Sequence, residues 1–369
     1  MNELEKRRIE IDAIDTEMAA LFEKRMNVCK GIAEFKKQHG LPVVDRTREG
    51  AILAKNAAYV NDETYREYYM QFMKDVMNIS CSYQSRLIDG MKVAYSGTEG
   101  SFGHIAAKKQ FPEATLTSFP DFASAYNAVE SGEYDCAVLP LENSYAGDVG
   151  VVMDLMFSGN LYVNHVIELD VVHNLVALPG STLSDIKTVV SHPQALEQCE
   201  DYIKKNGFTP LSYSNTAFAA QYVKEQNDKS IAAIASDESS DAFGLEILER
   251  GVNASRSNTT RFAVFSRAQH MPSADSKSEN EHFILLFTTK NEAGALAQTL
   301  NIIGAHNFNM RNLKSRPMKE LLWNYYFFVE ADGNIGTSSG QDMLCELSAV
   351  CARLKLAGTY NSDKMISTR

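Results

Sequence analysis

The sequence predicts a multidomain protein, all-α, then α/β, then a small βαββαβ unit, on three observations. Apolar residues recur at helical spacing through residues 1–90, and short apolar runs alternate with helical stretches from residue 91 onward. A polar stretch, Ser273 to Asn280, then sets off a last segment. At roughly 150 residues per domain, 369 residues leave room for two or three. A hydrophobic share of 44% against 22% charged suits buried cores, so the expected domains are 1–90, 91–270 and 281–369.

In the first segment Leu4, Ile11, Ile14, Met18, Leu21, Val28, Ile32 and Phe35 follow steps of three and four, broken at positions 7 and 25, both Arg. This is one long amphipathic helix. His39-Gly40-Leu41-Pro42 ends it, because Gly40 tolerates the left-handed region and Pro42 cannot continue a helix. Asp45 can cap a second helix through Thr47, Arg48, Glu49, Ile52 and Leu53. A third runs from about Thr64 to Asp89, with Tyr69, Phe72, Val76, Ile79, Tyr83 and Leu87 on one stripe. Helices of such unequal length cannot cover one another in a monomer, so an intertwined homodimer is expected.

From residue 91, Lys92 to Tyr95, Asp135 to Pro140, Val171 to Leu178, Thr188 to Val190 and Ile231 to Ala235 read as buried strands near helical stretches. Parallel α/β layers in two lobes with a cleft are expected. After the polar stretch come strand His282 to Thr288, helix Ala293 to Ala305, strands around Met310 to Arg316 and Trp323 to Glu330, helix Gln341 to Lys355 and a strand near Thr359. That order is the split βαββαβ unit.

Acidic residues outnumber basic ones, 47 to 36, and the resulting net charge of −11 repels polyanions, so no nucleic-acid partner is expected. No run approaches the ~18 apolar residues of a membrane span, and the start MNELEKRRIEID is too charged for a signal peptide. A cytoplasmic protein without a membrane partner is expected. The six cysteines contain no CxxC pair, which predicts reduced thiols and no metal.

Arg25 interrupts the apolar stripe, and Lys36, eleven residues on, lies about 20° away around the helix. Either cation alone reads as one that snorkels to water or meets a carboxylate. Together with Arg48 and Glu49 on the second helix, and Ser80 and Gln84 on one face of the third, they suit a small dicarboxylate. Arg8, Arg25, Lys36, Asp45, Arg48, Glu49, Ser80 and Gln84, in that order, resemble the active-site pattern of all-helical chorismate mutases. The resemblance implies that Arg8, Arg25 and Arg48 hold the two carboxylates of chorismate, while Lys36 and Gln84 donate to the ether oxygen. Asp45 and Glu49 would engage the ring hydroxyl and align Lys36. Arg8 would reach into the site of the other protomer.

In the α/β segment, Glu142-Asn143-Ser144 follows a strand, where ligands of open sheets bind. Ser191-His192-Pro193-Gln194 follows another, with Gln198 one turn on; a serine hydrolase lacks support because no GxSxG elbow is present. Asn258 precedes Thr260-Arg261-Phe262 at the start of a closing strand, where Thr260 alone reads as a turn residue. With Gly97-Thr98-Glu99-Gly100-Ser101-Phe102, these motifs resemble prephenate dehydratase from Val93 to Arg267. The resemblance implies a two-lobed fold similar to periplasmic binding proteins, with prephenate in the cleft among Asn143, Ser144, Ser191, His192, Gln198 and Asn258, and Arg261 as carboxylate anchor. Aromatisation drives the loss of carbon dioxide and hydroxide, so no cofactor is expected. The proton to the leaving hydroxyl comes from Thr260 or from a protonated Glu142, an alternative the sequence leaves open.

Gly294-Ala295-Leu296 and Ser315-Arg316-Pro317 by themselves read as a helix start and a strand end. Placed here they resemble the phenylalanine-sensing ACT domain of these dehydratases, which implies L-phenylalanine as effector at Gly294, Ala295, Leu296, Ser315 and Arg316. Lys314 stands where the family has Glu, which reverses a charge near that site. The whole chain thus resembles the bifunctional chorismate mutase/prephenate dehydratase family. The alternatives are a noncatalytic amino-acid sensor, which has no use for an interior Arg25, Lys36 and Gln84, and an arogenate-preferring dehydratase.

Overall fold

The computed structural model describes residues 2–44, 50, 52, 55–253, 258–275, 280–318 and 324–361. It divides into two compact units, Met1–Lys92 and Val93–Arg369. Among the described residues no helix is long and apolar enough to cross a membrane.

Among the described residues the first unit has two long helices, α1 (Glu3–His39) and α2 (Glu63–Asp89), with further helical residues at 50, 52 and 55–57. A capping box starts α1: Asn2 Oδ1 accepts from Glu5 N at 2.8 Å, and Glu5 Oε2 accepts from Asn2 N at 2.8 Å. Gly40, at φ 62°, ends it in the left-handed region. Cys29 and Ala33 are the buried residues of α1, and Val76, Met77, Ser80 and Gln84 those of α2. Most of the α1 stripe is open in the single chain, with Leu21 66% and Val28 60% exposed. The expected second helix, from Asp45 through Leu53, lies mostly outside the described residues, of which 50 and 52 are helical.

The second unit begins with β1 (Lys92–Ser96), α3 (Phe102–Gln110), β2 (Thr115–Phe119), α4 (Phe122–Glu130), β3 (Cys136–Asn143), β4 (Gly147–Asp148), α5 (Gly150–Ser158) and β5 (Tyr162–Asp170). The chain then crosses into a second lobe made of β6 (Asn174–Ala177), β7 (Thr188–Ser191), α6 (Pro193–Gln198), α7 (Glu200–Asn206), β8 (Thr209–Ser212), α8 (Thr216–Gln226), β9 (Ile231–Ala235), α9 (Asp237–Phe243) and β10 (Glu246–Glu249). β11 (Thr259–Ser266) returns between β5 and β3 and completes the first lobe. The second lobe's sheet has the order β10-β6-β9-β7-β8, with apolar clusters on both sides.

Two expectations need correction. The run Val171 to Leu178 is not one strand: β5 ends at Asp170 and β6 starts at Asn174, and the residues between them are a crossing between lobes. The layers are also not uniformly parallel. β11 is antiparallel to both β3 and β5, and β6 to both β9 and β10, because a chain that crosses between lobes and returns enters each sheet in the opposite sense. Buried runs signal burial on both faces and carry no strand direction.

The last segment comprises β12 (Glu281–Thr288), α10 (Ala295–Ala305), β13 (Asn309–Pro317), β14 (Tyr325–Asp332), α11 (Ser338–Val350) and β15 (Arg353–Asn361), with strand order β13-β14-β12-β15. Alternate residues of β12 serve two cores. Phe283, Leu285 and Phe287 face Ile303, Met343 and Leu347; Ile284 and Leu286 join Tyr326 and Phe328 against Met153 and Phe157 of α5. The Phe157 and Tyr326 rings stack at 4.3 Å. β15 pairs with β5 in parallel at Gly358 and Val163, so packing is continuous past the polar stretch that the sequence reads as a linker.

Candidate active sites

In the helical unit, the spacing that brings Arg25 and Lys36 to one face of α1 turns both toward α2. The half-buried Arg25 donates through Nη1 to Ser80 Oγ, and to Val76 O at 3.5 Å. Ser80 Oγ in turn donates to Val76 O at 2.7 Å, which fixes the hydroxyl. Lys36 Nζ donates to Val43 O at 2.6 Å. These groups, with Gln84, Met77, Cys29, Ile32, Cys81 and Ile52, line a cavity of about 150 Å³. Gln84 is 7% exposed, and its buried Oε1 has no partner among the described residues. Neither Arg25 nor Lys36 meets a carboxylate among the described residues, an arrangement suited to an anionic ligand. Arg8 is exposed and, seventeen residues from Arg25, about 25 Å away along the helix, so it serves no site that Arg25 serves in the same chain. Asp45, Arg48 and Glu49 lie outside the described residues.

In the second unit a chain of side-chain hydrogen bonds crosses the seam between lobes. Its polarity is set at Asn143: Oδ1 accepts from the backbone N–H of Tyr145 at 3.0 Å and of Ala146 at 2.9 Å, so Nδ2 must face the other way. Asn143 Nδ2 donates to Thr260 Oγ1 at 2.9 Å and to Asn258 Oδ1 at 2.9 Å. Asn258 Nδ2 therefore faces Gln198 Oε1, at 2.9 Å. The same oxygen lies 2.8 Å from His173 Nε2, which must carry a proton to bond it. Gln194 Nε2 adds a second-lobe donor to Asn143 Oδ1, at 3.2 Å.

Thr260 is 8% exposed and accepts from Asn143; among the described residues its own hydroxyl proton has no acceptor. Beside the chain lies a cavity of about 530 Å³ lined from both lobes, by Phe102, Asn174, Ser236 and Asn258 among others. Gly100, at φ 79°, closes the seam: its carbonyl accepts from Ser236 Oγ at 3.0 Å and Ser239 Oγ at 2.9 Å, and a Cβ there would fall 2.7 Å from Ser239 Cα.

Three expected ligands of this cleft have other work. Ser191 is fully buried and donates to Ile234 O at 2.6 Å, which ties β7 to β9. His192 caps α6, its Nδ1 accepting from Gln194 N at 3.3 Å, so the two form no nucleophile–base dyad. The exposed Ser144 is bound to the backbone of Thr259 through both its N–H and its Oγ.

Glu142 and Arg261 are the larger correction. They sit opposite each other on β3 and β11, as Asn143 and Thr260 do, and neighbouring strand residues point to opposite faces. Their side chains are thus on the back of the sheet. Arg261 makes a two-pronged pair with Glu330 of β14, at 2.9 and 2.5 Å, and donates to Tyr360 at 2.8 Å, so it anchors no substrate carboxylate. Glu142 pairs with Lys314 at 3.0 Å and Arg261 at 3.5 Å and is no candidate acid for the Thr260 side. Burial opposes charge on Glu330, but the hydrogen bonds and charge of Arg261 bring its pKa below the usual carboxylate value. Arg316 likewise pairs with Asp154 of α5, in the dehydratase lobe, at 3.1 Å. Lys314 also binds Asp148 and so faces the dehydratase lobe. Gly294 caps α10 at φ 85° ahead of Ala295 and Leu296, and Ser315 is exposed on β13.

Two family profiles match the chain in succession, Chorismate mutase type II over residues 7–85 and Prephenate dehydratase over residues 93–270. The bifunctional chorismate mutase/prephenate dehydratase of Buchnera aphidicola subsp. Acyrthosiphon pisum is 30% identical over 373 residues, covering 97% of this chain and 96% of its own. The chain belongs to the bifunctional chorismate mutase/prephenate dehydratases. Both catalytic domains lie on one polypeptide, the mutase in the helical unit and the dehydratase in the two lobes. Among solved structures, the prephenate dehydratase of Arthrobacter aurescens in complex with L-Phe shares 26% identity at TM-score 0.69, covering 74% of this chain and 90% of its own. GqqA, a novel type of quorum quenching acylase, shares 30% identity at TM-score 0.68, with 74% and 98% covered.

Sequence reasoning on this mutase–dehydratase missed His173. It is 3% exposed, edge-on to Phe102 at 5.9 Å, and burial pulls its pKa down to about 4, against a smaller upward pull from Gln198. Placing residues 171 to 178 in one strand hid it, since a lone His in an apolar run reads as core. The break after Asp170 is the signal that could have found it.

Proposed function

We propose that in the helical unit Arg25 and Arg48 hold carboxylates of chorismate while Lys36 and Gln84 donate to the ether oxygen, and that Asp45 and Glu49 engage the ring hydroxyl and align Lys36. Arg8 enters from a second copy of the chain, which covers the open α1 stripe in an intertwined dimer. The rearrangement is pericyclic, so the site needs no nucleophile; it holds the compact conformer and stabilises negative charge on the departing oxygen.

In the dehydratase cleft the leaving hydroxyl of prephenate is placed against Thr260. The observation that carries this reading is the polarity of the chain: Asn143 donates to Thr260 Oγ1, which leaves the threonine O–H free to donate outward. As the C–O bond breaks, the electrons of the departing carboxylate flow into the ring and carbon dioxide leaves. Thr260, polarised by Asn143, offers its hydrogen bond to the oxygen as it gains charge. Gln198 and Asn258 contact the substrate at the seam.

The βαββαβ segment is read as a ferredoxin-like ACT domain, with L-phenylalanine bound at Gly294, Ala295, Leu296 and Ser315. Its grip on the back of β3 and β11, through Lys314, Glu330 and Tyr360, is the route from effector to cleft. The defining test supplies chorismate or prephenate to the full chain and follows phenylpyruvate, with L-phenylalanine titrated into each, and supplies arogenate separately and follows L-phenylalanine, the product that its amine dictates. Phenylpyruvate from chorismate and from prephenate, suppressed by phenylalanine, is expected. Product from arogenate alone would assign the dehydratase to the amine substrate, and unchanged rates with phenylalanine would remove it as effector.

A further inference from the structure

We infer that His173 is a positioning residue of the dehydratase: its Nε2–H locks the Gln198 amide, and through Gln198, Asn258 and Asn143 it holds Thr260 in its working geometry. The inference rests on the reading of Thr260 above. His173 lies in the first crossing between lobes and Asn258 in the second, so the bonds that converge on Gln198 tie both crossings to α6 of the second lobe. Gln198 Oε1 takes two donors at 2.8 and 2.9 Å, whereas its Nε2, on a side chain 7% exposed, has no partner among the described residues. Turning the amide over would satisfy that nitrogen only by facing it toward two N–H groups. While His173 donates, the Gln198 carboxamide has one orientation, its N–H₂ is kept for substrate, and Asn258 is held with its Oδ1 toward Asn143. With an apolar residue at 173, Gln198 Oε1 keeps Asn258 as its one donor among the described residues; Asn143 still sets the sense of both amides, but the Gln198 side chain loses the bond that fixes its place, and Asn258 loses a fixed acceptor.

The test uses the full chain, with chorismate turnover measured on each preparation. A glutamine at 173 can place its amide nitrogen where Nε2 stands, and an asparagine only where Nδ1 stands. His173→Leu and His173→Asn are expected to lower dehydratase kcat roughly 10- to 100-fold with KM for prephenate changed less than about threefold, a misplacement effect. His173→Gln should restore most of the rate. In a Thr260→Ala background His173→Leu should cost almost nothing further, because the two act through one group. If His173→Leu is insoluble, the Gln and Asn variants carry the comparison alone. A fully active His173→Leu, equal rates for the Gln and Asn variants, or an undiminished loss in the Thr260→Ala background would overturn the inference while a crippled Thr260→Ala leaves the reading of Thr260 standing. A fully active Thr260→Ala would overturn both.

Discussion

The helical site and the sheet site solve opposite problems with charge. In the helical unit Arg25 and Lys36 point inward, and among the described residues no carboxylate answers them. In the dehydratase unit the ions Glu142, Arg261, Lys314 and Glu330 are gathered on the back of the sheet, and the chain that ends at Thr260 is neutral, through Asn143, Asn258, Gln198 and His173, while Asp170, Asp237, Glu238 and Arg250 line the cavity beside it, with Arg250 paired to Asp237. The contrast follows the chemistry each site performs. A dianion must be held compact while an ether oxygen gains charge, which uncompensated cations achieve. On the proposed reading, a cyclohexadienol driven by aromatisation needs one well-aimed proton donor, and the fixed neutral hydrogen bonds behind Thr260 would aim it.

The sharpest way to break the comparison is to discharge the helical site. Arg25→Ala or Lys36→Ala should lower chorismate turnover by roughly 10³-fold, comparable to the loss of a strong transition-state donor, with prephenate turnover within about twofold. If Lys36→Ala keeps most of its mutase rate, the ether-oxygen assignment is wrong. Next in size, Thr260→Ala should cost about 10²-fold in dehydratase kcat with little change in KM, and Thr260→Ser less. Glu142→Gln should leave that kcat within a few-fold, whereas a dead Glu142→Gln would return the acid role to the back of the sheet.

The back-face ions should answer in stability. Arg261→Leu strands Glu330, whose side chain is 1% exposed, and should cost roughly 3 kcal/mol in urea unfolding. Arg261→Leu combined with Glu330→Leu should recover much of that. A prephenate KM raised a hundredfold with unchanged stability would make Arg261 a substrate anchor after all. For the same reason, truncation near Ala268 is a poor test of regulation, since it removes Glu330 and Tyr360 from Arg261 and exposes the apolar face of α5.

The smallest effect concerns His173, whose pKa falls from the ordinary 6.5 to about 4 in the fold. Between those values the unfolded chain takes up a proton that the folded chain refuses, so the neutral imidazole's contribution is complete above pH 6.5 and is lost as pH falls toward 4. Melting curves should show about 2 kcal/mol of destabilisation from this residue at pH 5, absent from His173→Gln. Parallel pH profiles for the two proteins would mean that His173 titrates normally.

Much of the architecture was legible because it depends on local rules. The stripe from Leu4 to Phe35 and the Gly40 stop determine α1, and the order of elements after residue 281 follows from alternating periodicity. Arg25, Lys36, Ser80 and Gln84 could be grouped in advance because helix geometry converts spacing into a shared face. The motifs at 142–144 and 258–261 also announced a site, yet sequence could not sort their members, and alternation along paired strands sends Glu142 and Arg261 away from Asn143 and Thr260. Strand parity was readable, but which parity faces the cleft depends on what covers the other side. Here β14 and β15 bring Glu330 and Tyr360 to that side, and residues so far apart in the chain meet only through folding. His173 gains its meaning the same way, because a histidine becomes a hydrogen-bond anchor only when tertiary packing sets Gln198 and Asn258 beside it.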